Sequence, residues 1–153
     1  MTEELKIVVD RLQEHINNVP SKFLKYSEVD LKRKPAPNKW SKKEILGHLI
    51  DSAANNHHRF IKIQFMPQPY FVEGYVQDEW VRIKKYNEID TRHLVKFWKT
   101  YNEHILIIMK NIPEDKLRIE IDSDNAFEKA DTFFFLIKDY VDHMDHHLKQ
   151  IFD

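Results

Sequence analysis

Asp139-Tyr140-Val141-Asp142-His143-Met144-Asp145-His146-His147-Leu148-Lys149-Gln150-Ile151 holds three of the nine histidines of the chain. Phe133, Leu136, Tyr140, His143, His147 and Ile151 fall at helical spacing, so the stretch reads as a helix capped by Asp131 or Thr132. On that helix His143 and His147 lie on one face, one turn apart. They continue the apolar stripe. Two imidazoles so placed can hold one metal ion, as the helical HExxH pair does in zinc proteases. The spacing predicts two ligands here and a third from elsewhere in the chain.

The third candidate follows a strong helix start. Trp40 precedes Ser41, and Glu44 follows three residues later, the pattern of a capping box with Trp40 stapled near Ile45. The helix is expected from Lys42 to about Phe65. Ile45, Leu46, Leu49, Ile50 and Ala53 form its apolar sector, and His48 sits inside that sector. Asp51, Ser52, Asn55 and Arg59 then carry a polar strip along the same helix. A buried strip of that kind is costly unless it is paired or binds something.

Two more helices complete the set. Leu5, Val8, Leu12, Ile16 and Val19 mark one from Thr2 to about Asn18, ended by Pro20. Leu94, Trp98, Tyr101, Ile105, Ile108 and Ile112 mark another from Thr91 to Ile112, stopped by Pro113. Pro35 and Pro37 forbid a regular helix before Trp40. A long aromatic-rich connection spans Met66 to Tyr86, with a short helix suggested around Trp80, Val81 and Ile83. It reads as a lid or wall over one end, or as aromatics filling that end. After Pro113, the connection to Ala130 alternates at Leu117, Ile119 and Ile121, which suggests a short extended piece. Four long amphipathic helices with uneven connections predict an all-α four-helix bundle, as one domain over residues 1–153.

Composition narrows the function. Net charge is −1, which offers no electrostatic footprint for nucleic acid or an anionic membrane. No apolar run approaches the length of a membrane span, and the acidic start Met1-Thr2-Glu3-Glu4 is unlike a signal peptide, so a cytoplasmic location is expected. There is no cysteine, so disulfides, thiolate ligands and a cysteine nucleophile are excluded. The two glycines, Gly47 and Gly74, argue against glycine-rich phosphate loops.

Three neutral imidazoles around one divalent ion leave positions open for water or substrate, the pattern of a catalytic site rather than a closed structural one. Zinc or nickel stands ahead of iron or manganese, although imidazole alone does not choose. Asp51, one turn beyond His48, can orient a ligand imidazole or act as a base, while Asn55 and Arg59 are candidate substrate-binding residues. The plainer alternative is that His48 is a hydrogen-bonded core histidine. His104 is a reserve ligand. His15, His57, His58 and His93 read as surface or boundary residues, and His146 points about a quarter-turn away from its neighbours. A carboxylate-bridged di-iron site fits poorly, because neither ligand-bearing helix contains Glu-x-x-His.

The segment Lys39-Trp40-Ser41-Lys42-Lys43-Glu44-Ile45-Leu46-Gly47-His48-Leu49-Ile50-Asp51-Ser52 resembles the second-helix motif of the DinB/YfiT-like superfamily. The segment Asp142 to Ile151 resembles its last-helix motif. Order, spacing and length agree over essentially the whole chain. The resemblance implies a four-helix bundle holding a divalent metal on His48, His143 and His147. It also implies a homodimer acting on a small-molecule substrate, either as a metal-dependent hydrolase or as a transferase using a small thiol such as bacillithiol. The competing expectation is a non-catalytic metal-binding or dimerising bundle, of the kind found among stress proteins.

Overall fold

The computed structural model describes residues 1–123 and 131–153. Four long helices form the frame: α1 (Glu3–Phe23), α3 (Lys42–Lys62), α5 (Thr91–Lys110) and α6 (Phe133–Phe152). Two short helices, α2 (Glu28–Lys32) and α4 (Gln77–Lys84), lie in the connections. Each long helix starts on a side-chain cap. Thr2, Ser41, Asp90 and Thr132 accept the backbone N–H groups of Leu5, Glu44, His93 and Phe135, satisfying donors the helix itself cannot.

α1 and α3 each pack against both α5 and α6. The first two long helices are therefore diagonal across the bundle, as are the last two. Leu12, Leu46, Ala53, Phe60, Trp98, Phe133 and Ile137 are fully buried between them. Arg11 on α1 binds both Asp142, at 2.8 Å, and Asp145 on α6, and His15 also reaches Asp145. These contacts tie α6 to α1. No helix among the described residues is long and apolar enough to cross a membrane.

Several boundaries differ from expectation. Pro20 lies inside α1 rather than ending it. It removes the hydrogen bond to Ile16, but buried Val19 and Phe23 hold one further turn against the core, and the Leu24 N–H bonds the Pro20 carbonyl. α3 stops at Lys62 instead of Phe65, and α5 stops at Lys110 instead of Ile112. The capping box is half formed. Ser41 caps Glu44, but the Glu44 carboxylate turns to Asn87 and Lys34 rather than back to the Ser41 N–H.

A three-stranded sheet was only partly expected. β1 (Tyr70–Val72) pairs parallel with β2 (Glu120–Ser123), and β2 pairs antiparallel with β3 (Asp131–Thr132). Tyr70 faces Ile121 in the register, and Ile121 faces Asp131. The alternation at Leu117 to Ile121 thus divides into a 3₁₀ turn over Glu114–Arg118 followed by a strand. The remainder of that connection, to Ala130, lies outside the described residues. The short helix suggested at Trp80 is α4.

Candidate metal centre

α3 and α6 are adjacent, so His48 in the second turn of α3 faces the last turns of α6. Nε2 of His143 lies 3.1 Å from Nε2 of His48 and 3.1 Å from Nε2 of His147. One ligand atom from each lies within 4.8 Å of the others, and the three could hold a metal ion. A tetrahedral ion with metal–nitrogen bonds near 2.0–2.1 Å sets its nitrogens about 3.3 Å apart, so the convergence is of the right size. His48 is fully buried; His143 and His147 are partly buried.

The two α6 histidines stand at the edge of the apolar stripe instead of continuing it. The buried line runs through Ile137, Val141, Met144 and Leu148 beside them, because α6 packs on α1 as well as α3. Half-buried placement leaves His147 open to a cavity of about 510 Å³, whose lining also includes Trp40, Asp78 and Gln150.

The surroundings favour neutral imidazoles. Burial, with the neighbouring imidazoles adding to it, pushes His48 down to about 3 and His143 to about 4, and burial also lowers His147. At neutral pH their nitrogens carry lone pairs rather than a second proton, as a metal ligand requires. The Nδ1–H of His147 donates to Oε1 of Gln150 at 2.8 Å, which leaves the Nε2 lone pair facing the other two histidines. The Trp40 ring packs over His48 at 4.7 Å between centroids and lies 6.2 Å from His147. Nδ1 of His48 is buried without a hydrogen-bond partner among the described residues. This donor set fits a divalent ion of borderline softness.

The same shifts set a pH dependence for the metal-free protein. The folded imidazoles have pKa values below the ordinary 6.5, so the unfolded chain takes up protons first as pH falls. Stability is complete above about pH 6.5 and is drawn down below it, by up to about 1.4 kcal/mol per pH unit for each such group. Chelator-treated protein is therefore expected to melt at progressively lower temperature from pH 6.5 to 5. A melting temperature that stays level over that range would contradict the buried, neutral assignment.

The other residues singled out in the sequence are placed as follows. Asp51 is fully buried, and its Oδ1 accepts from Lys84 Nζ at 2.6 Å and from the Tyr86 hydroxyl at 2.5 Å. Its Oδ2 is buried and has no partner among the described residues. Asn55 and Arg59 line a different cavity from the one His147 borders. His146 and His104 are exposed and belong to no ligand group among the described residues; His104 instead packs its ring 5.1 Å from His57. His57 is bonded to the Tyr101 hydroxyl at 3.1 Å, and His58 and His93 are exposed.

Gln150, Lys84 and Tyr86 were not anticipated. Gln150 follows His147 by three residues on one helix face, a spacing that could have exposed it. Lys84 and Tyr86 reach Asp51 across more than thirty residues, and no local pattern signals that contact.

No family model and no curated protein matches the chain. Among solved structures, it is similar to YfiT from Bacillus subtilis, described as a probable metal-dependent hydrolase with an unusual four-helix bundle topology. The two share 15% sequence identity with a TM-score of 0.85, over 99% of this chain and 86% of that one. At that identity the likeness speaks for the fold. Over nearly the whole length it identifies the chain as an all-α protein of the DinB/YfiT fold type.

Proposed function

We propose that the chain is a metal-dependent enzyme that activates water, or an external small thiol such as bacillithiol, for attack on a small electrophilic substrate. The observation that carries this reading is the convergence of three Nε2 atoms on one point beside an open cavity. The description of the structurally similar YfiT as a probable metal-dependent hydrolase supports it and favours water as the nucleophile. The absence of cysteine means that any thiol must come from outside the chain.

A divalent ion bound there would supply a Lewis acid able to bring the pKa of bound water near neutrality. The chain's own contribution is to hold and shield it. His48, His143 and His147 are the proposed ligands, and zinc or nickel suits them ahead of iron or manganese. Gln150 fixes the tautomer and tilt of His147. Trp40 covers the outer side of His48 and walls the cavity with an apolar surface, which excludes water from one flank. Asp51 is proposed as a positioning residue rather than a base. Its Oδ1 binds α4 through Lys84 and the turn after it through Tyr86, so it holds those elements against the ligand-bearing turn of α3.

The test is a screen of metal-loaded protein against esters, amides and epoxides, each with and without bacillithiol. Turnover without thiol is the expected result, with loss on chelation. Turnover only with thiol selects the transferase. A protein that keeps its metal but turns over nothing would replace the proposal with the non-catalytic bundle.

A further inference from the structure

Arg59 carries a charge that has no counter-ion among the described residues. It is half-buried on α3 and makes no ion pair among the described residues. Its hydrogen bonds go to uncharged acceptors, the Glu73 carbonyl and Oδ1 of Asn56 at 3.4 Å. Among the described residues, those two bonds leave three of the five N–H donors of the guanidinium without an acceptor. Arg59 borders a cavity of about 650 Å³ together with Asn55, Tyr70, Tyr75 and Trp80. Its guanidinium lies 5.9 Å from the centroid of the Tyr75 ring, and Tyr75 meets Trp80 edge to face at 5.3 Å.

The charges around it narrow the class of ligand. Glu73, which stands on the cavity lining, and Asp139 act on Arg59 electrostatically without pairing with it, and burial raises the Asp139 carboxyl above its ordinary range. Glu79 also lines the cavity, but its carboxylate is taken by Arg82 at 2.7 Å and 3.0 Å. Lys62 and His58 stand on the same lining. Such a setting suits one negative charge better than two. A planar fork suits a carboxylate, and aromatic walls suit a flat or apolar body.

We propose that this cavity binds a small organic carboxylate carried on an aromatic or apolar body, at a site separate from the metal centre. The separation is built into the fold. Asp78 on α4 lines the cavity beside His147, while Trp80 on the same helix lines this one, so α4 stands between the two. Along α3, Arg59 lies eleven residues beyond His48, about 16 Å by helical rise.

The experiment titrates benzoate, inorganic phosphate and benzyl alcohol into metal-loaded and chelator-stripped wild-type protein by calorimetry, with Arg59→Gln in parallel. Benzoate is expected to bind both wild-type forms with similar affinity. Arg59→Gln should weaken it about tenfold or more, and phosphate and benzyl alcohol should bind the wild type correspondingly less well. If Arg59→Gln does not fold, the ¹⁵N resonance of Arg59 Nε in the wild type reads the same contact and should move on benzoate addition. The proposal is overturned if benzoate does not bind, or if it binds without moving that resonance or sensing the substitution. Binding confined to the metal-loaded form would place the ligand on the ion and reject this site. Phosphate equal to benzoate would reject the carboxylate class. None of these outcomes depends on turnover, so the metal-dependent reading stands or falls independently.

Discussion

His147→Ala, His48→Ala and His143→Ala are each expected to lower divalent-metal affinity by more than about 100-fold, because loss of an outer-shell partner alone typically costs 10–100-fold. Wild-type protein should bind one ion per chain, measured by metal analysis after dialysis and by calorimetry with zinc and nickel. Since the converging nitrogens exist only in the folded chain, binding should also stabilise it. At a free concentration of 100 times Kd the gain is about 2.7 kcal/mol, or roughly 5–10 °C in melting temperature. His104→Ala provides the control, as His104 is exposed and packs on His57. Its affinity should match the wild type. Metal retained by both His48→Ala and His147→Ala would remove the proposed centre, whatever activity the protein shows.

Gly47→Ala is expected to destabilise the fold by about 1–3 kcal/mol, even though alanine is intrinsically the better helix former by about 1 kcal/mol. A Cβ at Gly47 would fall 2.1 Å from Cδ2 of Tyr86 and 2.2 Å from its Cγ. Tyr86 has nowhere to retreat. It is 3% exposed, and its hydroxyl is bound to Asp51. It also begins a 3₁₀ turn directly after Lys85, a non-glycine residue with φ of 51°. Displacing the ring would break the bond to Asp51 and leave more of that carboxylate buried without a partner. For a chain of this size the melting temperature should fall by roughly 2–4 °C per kcal/mol. Gly47→Ala and Tyr86→Ala combined should cost less than the sum of the two single losses, because the two side chains compete for one space. A Gly47→Ala protein more stable than wild type would show that the contact is not tight.

The four long helices and the pairing of His143 with His147 were legible because both rest on local periodicity. Ser41 announces its helix start within three residues of sequence and caps as read, and of Asp131 or Thr132 it is Thr132 that caps α6. The spacing of His143 and His147 sets them one turn apart before any tertiary contact forms. Pro20 lies inside α1 because the burial of Val19 and Phe23 on either side of it, which no window around the proline reveals, holds the following turn against the core. The reciprocal half of the capping box failed for a similar reason. Asn87 and Lys34, distant along the chain, draw the Glu44 carboxylate away from Ser41.

By itself, then, the sequence determined the helical class, the four long segments and the pair of imidazoles on α6, since each follows from the geometry of a single helix. Tertiary structure decided how those helices are ordered, with α1 diagonal to α3 and α5 diagonal to α6. It also brought His48 against His143, turned Asp51 toward Lys84 and Tyr86, and set Asn55 and Arg59 in a second cavity behind α4. The reason is one of range. Capping and periodicity act over a turn or two, whereas which face of α3 meets α6 depends on how every apolar stripe in the bundle is buried at once.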